Sequence, residues 1–358
     1  MLKKSLIVLA TTVLLLFLFI VWFLSLLGDD LSADFTETKA SELPYLVNKV
    51  QEHRGRILAV VTNVSSIGEG DNKRDVGYEL TELARAYYVF KTNGFEVDVA
   101  SPQGGKAPMV RDDDDMGPYD FAFLNDDNAL KKINKTLHLS EINTQDYDAI
   151  YFVGGKGTMF DFPDNVFIKN IVRDMWQQGK VIAAVCHGPA ALVNVRLDSG
   201  ELLLQGREVA SFSNKEELLF ISDARRIFPY LLEDKLIEQG ASYQEGHQLL
   251  NNVVVDGQLI TGQNPWSVWT LADKTIQALG YSPLSRNMTP EEHSISLLTT
   301  YTEKGFSVAN DRLQRILEQP DIDIDRNTIA AHVLVAILSA EFSRTFELLR
   351  LLSAAKHH

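Results

Sequence analysis

The segment VIAAVCHGPAAL carries the strongest chemical signal in the chain. A short apolar run with the character of a buried strand ends at Cys186, and His187 and Gly188 follow at once. Ala184 before the cysteine and Gly188 after it leave the turn uncrowded, as in a nucleophile elbow, where a sharp strand-to-helix turn presents the reactive side chain above a sheet. The residues after the turn read as a helix. Its amino end would favour a thiolate at Cys186, and backbone N–H groups there could hold an oxyanion. The same letters also fit a buried, inert cysteine at a strand end. Cys186 is the only cysteine, so an intramolecular disulfide is excluded, and an inert thiol, an intermolecular bridge or a reactive thiol remain.

Two further segments offer partners. In AIYFVGGKGTMFDFPD, Gly154, Gly155 and Gly157 follow a strand and allow close backbone approach, with N–H groups that could complete an oxyanion site. Glu82 lies in a helical stretch, where it faces either solvent or the end of the sheet.

The elements that must position these residues alternate. RILAVVT, FEVDVA, DAIYFVGG, VIAAV, EVASFS and NVVVDGQLITG read as strands, while Gly77–Gly94 and Pro265–Gly280 have helical spacing. Alternation with continuous apolar strands implies an α/β, flavodoxin-like fold, a mostly parallel sheet sandwiched by helices, with its site at the carboxyl ends of the strands. Residues 283–358 read as a helical C-terminal appendage. TPEEHS is a capped helix start, and Asp325–Leu352 reads as one long helix. Asp321, Asp323 and Asp325 are spaced like a metal loop but lack the glycine and glutamate of a calcium hand, which favours capping and loop roles. The acidic run Asp112–Asp115 reads as a solvated loop.

The 358 residues, 45% hydrophobic and 23% charged, suffice for a sizeable core, and a net charge of −14 argues against nucleic-acid binding. The uncharged run Ser5–Leu27 predicts a transmembrane helix, with residues 1–4 a cytoplasmic tip, Lys3 and Lys4 holding it inside, and residues 28–55 a mostly helical spacer. That places the chain in a membrane as a single-pass protein with its main domain outside. A cleaved signal peptide is the competing reading.

Taken together, the strings GYELTELARAYYVFKTNGFEVDVASPQGG, DYDAIYFVGGKGTMFDFPD, VIAAVCHGPAALV, VASFSNKEE and LITGQNP resemble the ThiJ/PfpI superfamily, most closely its branch of heat-shock chaperones and glutathione-independent glyoxalases. The resemblance covers residues 56–282. It implies Cys186 as nucleophile with His187 beside it, Glu82 as a buried, protonated glutamate bonded to the sulfur, Glu217 as the acidic partner of the histidine, and Gly155 as the oxyanion glycine. Gly154, Lys156 and Gly188 complete the substrate-binding turns. It further implies a small carbonyl substrate such as methylglyoxal, converted to lactate without metal, glutathione or other cofactor, and a homodimer. A holdase chaperone, a thiol sensor and a cysteine peptidase or amidase are the alternatives. The chain departs from the pattern at Lys156, where relatives carry histidine, and at Arg85 and Ala86, where they carry His-Pro. These positions are expected to border the pocket. A glutamine amidotransferase is disfavoured, because TGQNPWS lacks the distal His and Glu.

Overall fold

The computed structural model describes residues 2–28, 34–68, 70, 73–111 and 116–356, with the side chains of residues 2–9 excepted. The run Asp112–Asp115 lies outside the described residues. The chain divides into two compact units, residues 34–287 and residues 1–33 with 288–358.

The larger unit is built on seven strands: β1 (Gly55–Val60), β2 (Phe95–Ser101), β3 (Leu137–His138), β4 (Ala149–Phe152), β5 (Val181–Val185), β6 (Val253–Asp256) and β7 (Leu259–Gly262). Their spatial order is β6-β7-β5-β4-β1-β2-β3. All neighbours are parallel except β6 and β7, which form an antiparallel hairpin at one edge. The five central strands β2-β1-β4-β5-β7 thus follow the doubly wound order, in which a crevice opens at the carboxyl ends where the strand order reverses. Alternate residues feed two cores. Ile57 and Ala59 pack with the helices Leu80–Thr92 and Val268–Ala278, and Leu58 and Val60 pack on the opposite face with the helix Val166–Gln177. Helices on both faces explain why the central strands read as unbroken apolar runs.

Several expected elements change on folding. EVASFS yields only Glu208–Val209, paired with Ser242–Tyr243 outside the main sheet. The helix after Cys186 is a single five-residue 3-10 segment, Gly188–Leu192. The stretch expected as a spacer is packed rather than helical through its length: Val50 N donates to Thr92 O, Arg54 N to Gly94 O, and Tyr45 is buried as it accepts from Asn93 Nδ2.

In the smaller unit, Thr289 and Glu292 form a capping box at the start of the helix Pro290–Lys304. The single long helix expected over Asp325–Leu352 is two, Arg326–Leu338 and Phe342–Lys356, because Ala340 takes a left-handed conformation (φ 56°) that ends the first. Asp325 caps Arg326–Leu338 by accepting from the N–H groups of Asn327 and Thr328.

The transmembrane expectation is corrected. Among the described residues, no helix is long and apolar enough to cross a membrane. The N-terminal helix ends at Leu24. Leu26 then turns inward to full burial, and Gly28 N donates to Asn327 Oδ1 (3.2 Å). The transmembrane helix, the membrane as a partner, and the single-pass localisation with a cytoplasmic tip fall together.

Candidate active site

Cys186 stands at the carboxyl end of β5 with φ 58°, a left-handed conformation unusual for a side chain bearing a Cβ. Two bonds hold it there: its N–H donates to Gly262 O and its carbonyl accepts from Phe212 N, both at 2.9 Å. The turn must be tight, since a Cβ on Gly188 would lie 2.3 Å from Phe152 O.

Glu82 occupies the first turn of the helix Leu80–Thr92 and is fully buried. Its Oε2 accepts from Gly154 N at 2.8 Å, and a Cβ on Gly154 would lie 2.5 Å from that oxygen and 2.8 Å from Cys186 Cβ, so the carboxyl and the cysteine flank one glycine. The first glycine of the turn after β4 is therefore committed to holding Glu82, not to receiving an oxyanion. Gly155, at φ 108°, lies against the Gly77–Glu79 backbone, where a Cβ would meet Gly77 O at 2.3 Å. Its N–H makes no hydrogen bond among the described residues. Thr158 Oγ1 ties the two turns together by donating to Gly155 O (2.8 Å) and His187 O (3.1 Å). Lys156 is half-buried.

His187 is buried between the sulfur and an acid. Its Nδ1 lies 3.3 Å from Cys186 Sγ and its Nε2 2.5 Å from Glu217 Oε2. A carboxylate accepts only, so Nε2 carries the proton and the Nδ1 lone pair faces the thiol. Glu217 is positioned by a network that the sequence reading missed. Ser213 caps the helix Asn214–Phe220 in a capping box with Glu216. The Glu216 carboxylate, fully buried, accepts from Ser213, Gln263, Asn264 and Leu249 N. The S-x-x-E spacing at 213–216 is its visible signal.

The thiol's electrostatics differ from expectation. Burial pushes Cys186 well up, the Glu82 carboxylate raises it further, Glu79 adds to this, and Lys156 opposes. A five-residue 3-10 segment has too few aligned peptides to supply the expected helix-end stabilisation of a thiolate. Arg85, expected at the pocket border, pairs in the interior with Asp120 (NH2 to Oδ2, 3.3 Å), both side chains being nearly inaccessible.

This arrangement of strand end, strained cysteine and buried glutamate occurs in a chain of which residues 75–278 match the model of the DJ-1/PfpI family. The chain belongs to the DJ-1/PfpI family. Within it the chain falls in the glyoxalase branch. It is 29% identical to Glyoxalase 3 of Candida albicans over 62% of this chain and 98% of the relative. Among solved structures, the Rapid Encystment Protein 24 kDa of Francisella tularensis is 35% identical with a TM-score of 0.58, covering 63% of this chain and 99% of that one. The glyoxalase III crystal structure from Candida albicans is 25% identical with a TM-score of 0.57, covering 63% and 98%. Among the described residues, no group of three or more His, Cys, Asp or Glu is placed to hold a metal ion.

Proposed function

We propose that this DJ-1/PfpI protein converts 2-oxoaldehydes such as methylglyoxal to 2-hydroxy acids, here lactate, using Cys186 and without glutathione. The observation that carries the proposal is the fully buried Glu82 carboxyl beside Cys186, the two set apart only by Gly154. The curated relative in Candida albicans is named a glyoxalase.

In this reading the thiol proton passes to His187 Nδ1 as sulfur bonds the aldehyde carbon, because a thiol held well above its ordinary value needs a base at the moment of attack. Glu217 steadies the imidazolium. The Glu82 carboxyl gives its proton to the aldehyde oxygen, and Gly155 N–H supports that oxygen. The Glu82 carboxylate then takes the C1 proton while the imidazolium protonates the ketone oxygen, giving an enediol. Return of the proton to C2 and loss of the C1 hydroxyl proton to His187 leave a thioester. Water opens it, frees the acid and restores the thiol. Atoms balance as substrate plus one water.

Purified full-length protein is expected to form lactate from methylglyoxal, and Cys186→Ala and Glu82→Gln to lose at least about a hundredfold in rate, the range of a missing acid–base group. Equal turnover by the wild type and both variants removes the proposal.

A peptidase or amidase reading draws on the Cys186–His187–Glu217 alignment alone. It requires release of a chromophore from small peptide amides that survives Glu82→Gln.

A further inference from the structure

A cavity of about 580 Å³ opens in the larger unit, and none of Cys186, His187, Glu82 and Glu217 lines it. It lies among the hairpin of Ser66–Ile67 with Arg74–Asp75, the parallel pair Tyr78–Glu79 and Met109–Val110, and the helix Asp127–Asn134. Val76, Ala107, Leu130 and Ile133 give it an apolar wall, and the exposed Lys73, Lys106 and Asp75 line it as well. Among the described residues, neither lysine ammonium has a hydrogen-bond or ion-pair partner. Tyr78 completes the lining. It is fully buried, and its hydroxyl has no hydrogen-bond partner among the described residues. The Tyr78 backbone also packs on the catalytic glycine turn, since a Cβ on Gly155 would lie 2.8 Å from Tyr78 Cα.

Buried hydroxyls are nearly always paired, because one left without a partner has given up its water for nothing. Tyr78 breaks that rule at the wall of a cavity, where a bound molecule can supply the partner. The volume falls in the range of about 300–1,000 Å³ usual for small-molecule pockets, and an apolar wall with a few convergent polar groups is their usual lining. Two lysines against one aspartate leave one surplus positive charge, which suits a monoanion better than a cation or a phosphate dianion. The apolar wall suits a hydrocarbon body. We propose that this cavity is a second, non-catalytic binding site for amphipathic monocarboxylates. The carboxylate pairs with Lys73 and Lys106 and accepts from the Tyr78 hydroxyl, and the hydrocarbon lies on Val76, Leu130 and Ile133. No bond is made or broken, and the site stands whether or not the chain turns over 2-oxoaldehydes.

The test titrates the full chain with decanoate by calorimetry, with decyltrimethylammonium and propionate as the probes that lack the anion and the long hydrocarbon. The wild type is expected to bind one decanoate per chain and to bind both controls at least about tenfold more weakly. Lys73→Gln with Lys106→Gln, at exposed positions, should weaken decanoate binding about tenfold or more, the effect of losing charged hydrogen bonds. Tyr78→Phe should weaken it severalfold. Without ligand, the urea midpoint of Tyr78→Phe should be no lower than that of the wild type, because the hydroxyl it removes has no partner in the protein. Decanoate should raise the midpoint of the wild type and raise that of the lysine double variant less. Absence of decanoate binding, equal binding by the lysine double variant, or equal binding of decyltrimethylammonium overturns the site. A ligand-free Tyr78→Phe protein less stable than the wild type does so too, since the hydroxyl would then be committed to the fold.

Discussion

Gly154 is the spacer between Glu82 and Cys186. A Cβ at this position would lie 2.5 Å from Glu82 Oε2 and 2.8 Å from the Cys186 Cβ. Neither neighbour is a flexible chain end, since one is pinned by the Gly154 N–H itself and the other by β5 and β7. Gly154→Ala is expected to separate the carboxyl from the sulfur and lower lactate formation at least about a hundredfold. The chain should remain folded by circular dichroism. Full activity in a folded Gly154→Ala protein would contradict this geometry.

The thiol should titrate in a direction set by its burial. Burial and then the Glu82 carboxylate raise Cys186 above the ordinary thiol range, so alkylation by a neutral thiol probe should accelerate only in alkaline solution. Glu82→Gln leaves the burial, the largest cause, in place. Its alkylation profile should stay above that of a free thiol and close to that of the wild type, since the proposed reaction starts from a Glu82 that holds its proton. A profile moved to lower pH would mean that Glu82 is charged when Cys186 ionises, against the proposed proton transfer.

The Glu216 network should act on the site through orientation. Ser213→Ala deletes a helix cap and is expected to cost about 1 kcal/mol in urea unfolding. Glu216→Ala leaves Gln263, Asn264 and Leu249 N short of an acceptor. It should lower kcat more than KM is raised, because Glu217 then no longer fixes the His187 tautomer. Glu217→Gln should reproduce the kcat loss with little loss of stability.

Asp161 should give stability a dependence on pH. Burial raises its carboxyl to about 6, although Thr62 Oγ1 and Asn63 N both donate to it at 2.8 Å. A raised carboxyl binds its proton more tightly folded than unfolded. Its stabilising effect is therefore complete below the ordinary carboxyl range and lost as pH rises to about 6. The side chain retains some solvent access, so the size is on the order of 2 kcal/mol. Asp161→Asn should flatten the urea midpoint between pH 4 and pH 7, within the limits of about one pH step at each end. An equal slope in both proteins would place the titration elsewhere.

The buried Arg85–Asp120 pair should be costly to break and cheap to replace. Asp120 also accepts from Gly117 N at the start of the helix Pro118–Leu124. Asp120→Ala removes a buried carboxylate that accepts from both the Arg85 guanidinium and Gly117 N, and is expected to cost about 3 kcal/mol. Arg85→Met with Asp120→Leu should recover most of it, and lactate formation by the double variant measures whether Arg85 influences the reaction.

The sequence by itself determined the alternation of strands and helices, because apolar periodicity follows directly from which faces meet a core. It also located the strand-end turn at Cys186 and the helix start capped by Thr289, whose signals lie within a few residues. Contacts between distant segments were settled only by the tertiary structure. Glu82 and Gly154 are 72 residues apart and His187 and Glu217 30 apart, and no local pattern states that their side chains meet. The segment after Cys186 is a 3-10 turn in place of a helix, and the close approach of Gly188 to Phe152 is visible only in the fold. The apolar N-terminal run reads in sequence as a bilayer span, since composition alone cannot tell a helix's apolar neighbours apart. In the structure the run is followed by Leu26, which is buried, and by Gly28, whose N–H donates to Asn327 within the same unit. The thiol's electrostatics were likewise a tertiary property, because burial and a distant carboxylate outweigh what the neighbouring residues in sequence could supply.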